Sequence, residues 1–296
     1  MSTQKITSME VAKLAGVSQS AVSRVFTPGA SSSKKTNELV RKAAAELGYR
    51  PNVLARSLIT GKSRMIGLVV AYLDNYFYPE ALELLSSALQ KKGYHVLIFM
   101  SGNKEGDIAD AVDEILDYQV DGIIAASVSM SSDLAKRCTS AGVPVVLFNR
   151  TQDDDRLSAV TSDNFQGGQK VARFLLAGGH KRIGYIAGWE GASTQRDREK
   201  GFTEELVRNG QELYAREVGN FNSDEARQAA RTMFSKQNFP DAVFVANDAM
   251  AIAVIDVIRF ELGLQVPEQV SVVGYDDVPI SSWPAYDLTT VRQPAN

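Results

Sequence analysis

The segment T-S-M-E-V-A-K-L-A-G-V-S-Q-S-A-V-S-R-V-F, residues 7–26, decides the fold of the N-terminal part of the chain. Thr7 and Glu10 form the pattern of a capping box, which predicts that a helix begins there. Gly16 is suited to end that helix, and Ser18 is suited to cap a second one. Two short helices joined by so tight a turn are typical of a helix-turn-helix motif.

One side of the second helix is polar and is predicted to face solvent. In a helix-turn-helix motif, such a side carries the groups that enter the major groove of double-stranded DNA. Arg24 could pair with a guanine edge and Gln19 with an adenine edge, or either could contact phosphate instead. A helical hairpin with a merely solvated polar face is the plainer alternative. The head residues predicted to contact DNA are Thr7, Ser18, Gln19, Ser20, Ser23 and Arg24.

Charge is distributed unevenly along the chain. Residues 1–64 hold 11 Lys and Arg against three Glu, a net charge of +8, whereas the remainder holds 21 bases and 32 acids, a net charge of −11. A basic head on an acidic body is typical of a polyanion-binding module attached to a sensor. Small helical domains are also basic by chance, so the charge supports the motif without deciding the function.

From Met65 onward, apolar strands alternate with amphipathic segments of helix length. This pattern predicts parallel sheets that are covered on both faces. Seven predicted strands favour two doubly wound lobes over one very wide sheet. No internal repeat is visible in the sequence. The predicted strands are 66–71, 95–100, 122–127, 143–149, 182–188, 242–247 and 270–276.

Polar residues cluster where these predicted strands end. Because parallel α/β lobes place ligands at the carboxyl ends of their strands, such residues are predicted to line a cleft. Amides and carboxylates beside aromatic rings suit a polyhydroxylated ligand. Asp163 and Asn164 have a plainer interpretation as caps of a helix, and Phe77 and Phe221 as core aromatics. The strand-end pairs are Asn149–Arg150, Asp163–Asn164, Asn247–Asp248 and Asp276–Asp277.

No catalytic constellation is visible in the sequence. It contains no H-E-x-x-H helix, no G-x-S-x-G elbow and no Cys-x-x-Cys pair. Gly61-Lys62-Ser63 resembles the end of a phosphate-binding loop, but it precedes a strand rather than a helix. The sequence therefore predicts a protein that is not an enzyme, with no catalytic residue, no metal site and no cofactor.

The cellular setting follows from three further features. Cys138 is the only cysteine and is predicted to be a small buried side chain in a reducing compartment. No apolar run is long enough to span a membrane, and the first residues lack the apolar core of a signal peptide. We expect no membrane partner and a cytoplasmic, nucleoid-associated location in a bacterium.

Several stretches closely resemble the lac-repressor (LacI/GalR-type) family of bacterial transcription regulators. They are E-V-A-K-L-A-G-V-S-Q-S-A-V-S-R-V (10–25), E-L-G-Y-R-P-N-V-L-A-R-S-L (46–58), G-H-K-R-I-G-Y-I-A-G (179–188), V-A-N-D-A-M-A (245–251) and S-V-V-G-Y-D-D (271–277). The resemblance covers essentially the whole chain. It implies an all-α helix-turn-helix head followed by an α/β sensor of two doubly wound parallel-sheet lobes, similar to periplasmic binding proteins.

The resemblance also implies a function. We expect a sequence-specific regulator, a repressor, that binds a palindromic operator as a homodimer and is controlled allosterically by a small molecule. A sugar or sugar acid is the first expectation for that effector, and a nucleobase is the second. A stand-alone transport protein would need an export signal and no head, and a two-lobed enzyme would need a catalytic set.

Individual residues are assigned by the same resemblance. Gln19, Ser20 and Arg24 match contacts of the recognition helix. Leu58 matches a hinge-helix leucine that wedges into the minor groove, in a short helix beginning at Asn52, although ordinary linker packing is the alternative. Phe77, Thr194, Arg198, Phe221, Asn247 and Asp276 match effector-facing positions, to which the residue pattern adds Tyr78 and Asn149.

The expected domains are the head at 1–50, a hinge helix and linker at 51–64 and the sensor at 65–296. The family pattern implies another helix and closing strands beyond Asn296, so the sensor is expected to be incomplete at that end. Phe26-Thr27-Pro28 replaces a common leucine and asparagine, and Tyr76 replaces a frequent proline. Contacts made by those family residues are therefore not carried over.

Overall fold

The computed structural model describes residues 6–27, 29–51, 61–71, 73, 75–101, 105–128, 130–152, 154, 156–235 and 237–294. The chain forms two compact units, Met1–Ser63 and Arg64–Asn296. The predicted hinge residues Asn52 and Leu58 lie outside the described residues. Within the described ranges, no helix has both the length and the apolar character needed to cross a membrane.

The head contains the helices predicted from its sequence. They are α1 (Ser8–Ala15), α2 (Gln19–Phe26) and α3 (Lys34–Leu47). Gly16 and Gly48 end α1 and α3 with left-handed φ angles of 66° and 67°, a conformation that glycine adopts without steric cost. The three helices close on a small core formed by Val11, Ala12, Ala15, Val22, Val25, Val40, Ala43 and Ala44.

The first lobe of the sensor is a five-stranded parallel sheet with helices between the strands. Its strands are β1 (Met65–Val70), β2 (His95–Met100), β3 (Gly122–Ala126), β4 (Val145–Phe148) and β5 (Ser158–Val160). Its helices are α4 (Phe77–Lys91), α5 (Glu105–Asp117) and α6 (Ser132–Ser140). The strand order is β2-β1-β3-β4-β5. Cys138 is fully buried in this lobe, as predicted, and burial raises the pKa of its thiol.

The second lobe repeats this arrangement. Its strands are β6 (Ile183–Ala187), β7 (Ala215–Val218), β8 (Ala242–Val245), β9 (Ser271–Asp276) and β10 (Thr289–Arg292). Its α-helices are α7 (Asn164–Ala177), α8 (Ser193–Arg208), α9 (Ser223–Phe234) and α10 (Asp248–Asp256), with a π-turn at Val257–Glu261 and a 3-10 turn at Pro279–Ser282. The strand order is β10-β9-β8-β6-β7.

The two lobes therefore share one topology, although the sequence shows no repeat. Numbered within its own lobe, each sheet has the order 2-1-3-4-5, which reverses direction between its first and third strands. The fold class is confirmed, but the structure contains three strands that the sequence pattern missed. Strands β5, β7 and β10 are short, carry polar residues and run along the sheets' outer positions, so they lack a continuous apolar run.

Close packing of α7 against α8 fixes the position of the residues at the start of α8. A Cβ atom on Gly168 would collide with the carbonyl oxygen of Arg198, and one on Gly201 would collide with that of Phe165. The two helices approach this closely because neither glycine has a side chain. The consequence is that α8 has little freedom to move the Arg198 side chain relative to the second sheet.

Candidate functional site

The head presents one exposed polar surface on α2. Gln19, Ser20, Ser23 and Arg24 are exposed, whereas Val22 is buried on the opposite side of the helix. This arrangement is the one predicted from the sequence. The surface is accessible to a partner, and the short side chains near the start of α2 let a backbone or base edge approach the helix closely.

Some of the predicted DNA contacts also build the motif. The Ser18 hydroxyl accepts the amide of Ala21 at 3.2 Å and so caps α2, while Ser20 Oγ lies 3.0 Å from Ser18 Oγ. Thr7 donates its amide to Glu10 at 2.7 Å, which is half of the predicted capping box. Gln19 donates its side-chain amide to Ser8 on α1 at 3.0 Å. Of this set, Ser23 and Arg24 have no such role among the described contacts.

In the sensor, a cavity lies at the carboxyl ends of both sheets, with about 240 Å³ of empty space that includes part of its solvent-open mouth. It is placed where the strand order of each lobe reverses, which is where open α/β sheets bind ligands. Its walls combine amides, hydroxyls, one carboxylate, one guanidinium and two aromatic rings. The lining residues are Asn75, Tyr78, Ser127, Asn149, Thr194, Arg198, Phe221, Asn247 and Asp276.

The backbone around this cavity is strained. Ser127, Asn149, Phe221 and Asp276 all line the cavity and all have positive φ angles, of 62°, 61°, 57° and 130°. Residues with side chains adopt this region rarely, at a cost of order 1–3 kcal/mol each, unless the surroundings hold them there. Such strain clusters at functional sites, and four of the nine non-glycine residues with positive φ in the described part of the chain line this cavity.

Arg198 is the cation of the site and its guanidinium is held on every side. Its Nε atom donates to Asn164 Oδ1 at 2.8 Å and its Nη1 atom donates to the carbonyl of Ala246 at 2.6 Å. Its Nη2 atom lies 3.7 Å from Asp276 Oδ1, and the group stacks 3.7 Å from the Tyr275 ring centroid. Because Arg198 is only 2% exposed, these contacts fix its direction.

Asp276 is the carboxylate of the site and joins both lobes. Its Oδ1 atom accepts from Gln293 Nε2 at 2.6 Å, and its Oδ2 atom accepts from Asn75 Nδ2 of the first lobe at 3.4 Å. Burial raises the pKa of Asp276. Asp248 is a second buried carboxyl group nearby, and burial together with the charge of Asp276 raises its pKa as well.

Asn247 carries an unsatisfied hydrogen-bond donor. Its Oδ1 atom accepts the amide of Met250 at 3.0 Å and thereby caps α10. Its Nδ2 atom is buried and has no hydrogen-bond partner, although Asn247 lines the cavity and is only 1% exposed. A buried donor without an acceptor is costly, so a ligand that supplies an acceptor here is favoured.

The first lobe contributes neutral groups to the same cavity. Asn149 Nδ2 donates to the Tyr78 hydroxyl at 3.1 Å, and this hydroxyl forms a short hydrogen bond with Ser127. Asn75 accepts the amide of Phe77 at 3.1 Å, so one side chain fixes the start of α4 and reaches Asp276. This side of the cavity offers hydroxyl and amide groups held in a chain.

Two further contacts join the lobes beside the cavity. The amide of Thr151 donates to Ser193 Oγ at 2.9 Å, at the start of α8. The guanidinium of Arg150 lies 5.2 Å from the ring centroid of Trp189, close enough for a cation–π interaction. Any ligand that separated the lobes would have to break these contacts.

The structure brings together seven of the eight residues predicted to face an effector. Phe77 is the exception, since it packs parallel to Phe148 at 6.2 Å and lines a neighbouring cavity of about 390 Å³ instead. Asp163 caps α7 through a 2.9 Å bond to Gln166, as the plainer interpretation expected, whereas Asn164 holds Arg198.

Sequence reasoning missed Asn75 and Ser127 as lining residues. Ser127 is the last residue of a predicted strand, so the strand-end rule should have included it. Asn75 lies five residues beyond β1, where no strand-end signal points to it.

Comparison with known proteins assigns the class. Residues 66–281 match the model of the periplasmic binding protein domain, and residues 7–52 match that of bacterial regulatory proteins of the lacI family. The HTH-type transcriptional repressor PurR of Vibrio vulnificus (strain CMCP6) is 30% identical over 288 residues, which are 96% of this chain and 86% of that protein. The HTH-type transcriptional regulator CelR of Thermobifida fusca is 32% identical over 293 residues, with the same coverage.

Solved structures agree with this assignment. A crystal structure of the lac repressor dimer bound to operator and the anti-inducer ONPF has a TM-score of 0.88 and 30% identity, over 99% of this chain and 88% of that one. A complex of the regulator CelR with cellobiose has a TM-score of 0.72 and 30% identity, over 98% and 89%.

Together, the helix-turn-helix head and the two-lobed sensor define a DNA-binding transcription regulator that carries a ligand-binding-type domain. Its relatives are transcription regulators and not enzymes, and this chain is of the same kind. The chain belongs to the LacI family of bacterial regulatory proteins.

Proposed function

We propose that this protein is a repressor that binds a palindromic operator as a homodimer and changes its operator affinity when a small polyhydroxylated molecule, a sugar or sugar acid, enters the sensor cavity. The observation that carries the proposal is the polar cavity at the switch points of both lobes, which is lined by the buried Asn247 with its unpartnered Nδ2 atom. The lac repressor dimer on operator and the CelR–cellobiose complex support it by family likeness.

The DNA contacts are proposed for α2. Arg24 and Gln19 read base edges, Ser20 and Ser23 contact the backbone, and Thr7 and Ser18 position the two helices on the duplex. Asn52 and Leu58 belong to the proposed hinge, where Leu58 would wedge into the minor groove. The proposed limits stay at 1–50 for the head, 51–64 for the hinge and 65–296 for the sensor. Such a protein works in the cytoplasm, at the nucleoid.

The effector contacts are proposed for both lobes. Arg198, Asn247, Asp276 and Thr194 would bind hydroxyl groups from the second lobe, with Phe221 against an apolar face of the ligand. Tyr78 and Asn149 would bind from the first lobe. Phe77 lies in the neighbouring cavity and would support the chain segment that carries Tyr78.

Selection of bound duplexes from a random library, followed by fluorescence anisotropy, tests the DNA half. We expect an enriched palindrome and an affinity that falls steeply between low and moderate salt, because phosphate contacts release counterions. Failure to prefer any duplex over random DNA would contradict the proposal.

Arg24→Ala then distinguishes the two ways in which Arg24 could act. If Arg24 reads a base, the variant loses about 1–3 kcal/mol of affinity for the selected site and tolerates other bases at one position. If it contacts phosphate, affinity falls evenly for all sequences and the salt slope decreases by about one. Unchanged affinity and unchanged slope would remove α2 as the recognition helix.

A further inference from the structure

Two short loops, one from each lobe, border the sensor cavity. Loop 149–152 follows β4 in the first lobe, and loop 188–192 joins β6 to α8 in the second lobe. Asn149 lines the cavity directly. A Cβ atom on Gly188 would collide with the ring of Phe221, which also lines the cavity. The two loops therefore form part of the cavity's rim.

The second-lobe loop is held in one conformation. Gln195 is only 1% exposed, and its Oε1 atom accepts the amide of Gly188 at 2.6 Å. The amide of Ala192 donates to the carbonyl of Trp189 at 3.0 Å, which closes the turn. A Cβ atom on Gly191 would collide with the indole of Trp189, so this glycine leaves the ring its space. The turn thus presents Trp189 in a fixed position.

The first-lobe loop is anchored in a similar way. At its start, Asn149 has a left-handed φ of 61° and a buried side chain. At its end, Gln152 makes two hydrogen bonds with the backbone of Met130, accepting the amide at 2.8 Å and donating to the carbonyl at 3.0 Å. Arg150 lies between these two anchors, so its backbone is fixed relative to the first sheet.

The two anchored loops meet through their side chains. The guanidinium of Arg150 lies 5.2 Å from the ring centroid of Trp189, and the amide of Thr151 donates to Ser193 Oγ at 2.9 Å. Arg150 is only 6% exposed, whereas Trp189 is 44% exposed. The indole therefore covers a buried cation at the surface of the protein. A cation–π contact is stronger when the cation is desolvated in this way.

We propose that Arg150 and Trp189 form a latch between the lobes, which holds the rim of the cavity closed and limits how often small molecules enter and leave. This step rests on the proposed function, because a gate has a role only if the cavity binds an effector. Since each loop is anchored within its own lobe, the latch opens when one lobe moves against the other. The contact between Thr151 and Ser193 lies beside the latch and opens with it.

Access to the cavity can be measured without knowledge of the effector. Thr194 lines the cavity and is 5% exposed, so Thr194→Cys places a thiol on its wall. Iodoacetamide, a small uncharged reagent, reaches this thiol when the rim is open, so the alkylation rate reports the open fraction. Cys138 is fully buried in the first lobe, and its alkylation reports general unfolding instead. Mass spectrometry of peptides distinguishes the two thiols.

Loss of either side chain of the latch should open the rim. In the full chain with Thr194→Cys, we expect Arg150→Met and Trp189→Leu each to raise the alkylation rate at least about tenfold, while Cys138 stays unreactive. Tenfold corresponds to about 1.4 kcal/mol, which a desolvated cation–π pair can supply. Trp189→Leu carries the test alone if reaction of Cys138 shows that Arg150→Met unfolds. An unchanged rate in a folded variant would overturn the proposal.

The double variant tests whether the two side chains act through each other. Because they form one contact, Arg150→Met combined with Trp189→Leu should react at most about twice as fast as the faster single variant. Rates that multiply, to about 100-fold over the parent, would show two independent effects and would refute the latch.

Arg156→Met is the matched control. Arg156 follows Arg150 in the same lobe but pairs with Asp154 and not with an aromatic ring. This variant should leave the alkylation rate unchanged. A tenfold increase here would show that the rate responds to the loss of any nearby arginine, and the assignment to Arg150 would then be wrong.

These measurements need neither DNA nor effector, so their outcome is separate from that of the proposed function. A protein that has the latch but prefers no duplex over random DNA would contradict the DNA half of the proposed function and leave the latch intact. A protein that binds an operator and responds to an effector, but whose alkylation rate does not depend on Arg150, would contradict the latch alone.

Discussion

The two lobes of the sensor have the same strand order but contribute different chemistry to the cavity between them. The second lobe supplies both charges, Arg198 and Asp276, and the unpartnered amide of Asn247. The first lobe supplies the uncharged chain of Tyr78, Ser127 and Asn149. One scaffold thus serves two purposes, with charged groups on one side of the cavity and uncharged hydrogen-bonding groups on the other.

The two lobes also differ in how completely their central strands are buried. Strands β6 and β8 of the second lobe are buried along their whole length. The corresponding central strands of the first lobe, β1 and β3, are less completely buried, since Met65, Ile66 and Ile124 are only partly buried. A buried charge needs rigid surroundings to keep it paired, and the more completely buried lobe is the one that holds it.

Removal of the Arg198 charge should have the largest effect on stability and on effector binding. In Arg198→Met, Asp276 loses its one cationic partner among the described contacts and Asn164 loses a donor, so we expect a loss of about 3–5 kcal/mol in the free energy of unfolding. Effector binding should also disappear. Denaturant unfolding and calorimetry provide the measurements.

Arg208→Met is the control, because the Arg208 side chain is 58% exposed and its partner Glu205 keeps a second ion pair with Arg173. It should cost at most about 1 kcal/mol. Equal losses in the two variants would show that the buried cation has no special role in the second lobe.

Adding a methyl group to α7 should have the next largest effect. Gly168→Ala places a Cβ against the carbonyl of Arg198, so α7 and α8 must separate, at a cost of about 1–3 kcal/mol. Effector affinity should fall as well, because Arg198 moves with α8. Gly122→Ala in the first lobe is the matched control, since its Cβ would have only ordinary contacts, at 3.5 Å or more. The prediction fails if both alanines are tolerated equally.

The two buried carboxyl groups predict a dependence of stability on pH. Their folded-state pKa values are raised above the ordinary value of about 4, so the folded protein holds protons that the unfolded chain releases. Their contribution is complete below about pH 4 and is lost as the pH rises towards neutrality.

Asp248→Asn should remove part of this dependence. Relative to wild type, the variant should gain up to about 1.4 kcal/mol of stability for each pH unit in that range. Denaturant unfolding at several pH values measures the difference, and Asp224→Asn on the exposed surface is the control. A pH-independent difference between Asp248→Asn and wild type would contradict the prediction.

Changes in the first lobe should have the smallest effect. Tyr78→Phe removes one hydroxyl from a neutral chain, so we expect a loss of about 1 kcal/mol in stability and at most about a tenfold loss in effector affinity. The double variant with Ser127→Ala should lose little more than Tyr78→Phe alone, since it removes both ends of one bond. A loss as large as that of Arg198→Met would show that the lobes do not differ as described.

Much of the fold could be predicted because its signals are local. Capping residues and glycines marked the head helices, and continuous apolar runs marked the buried central strands. Strands β5, β7 and β10 were not predicted, because they are short and contain polar residues. Pairing with a neighbouring strand stabilises them, and they have no apolar run of their own that would reveal them. The strand order that the two lobes share could not be predicted either, because two different sequences can form sheets with the same strand order.

The sequence by itself determined the helix-turn-helix head, the two α/β lobes and most of the residues around the cavity. The head, the lobes and the strand-end residues depend on residue type and spacing along the chain, whereas Thr194 and Arg198 were assigned by resemblance to the family. Only the tertiary structure decided that Asn164 holds Arg198, that Asn75 reaches Asp276 across 201 positions of sequence, and that Asn247 Nδ2 is left without an acceptor. The physical reason is that hydrogen bonding and burial depend on which side chains meet in space, and no local pattern encodes those meetings.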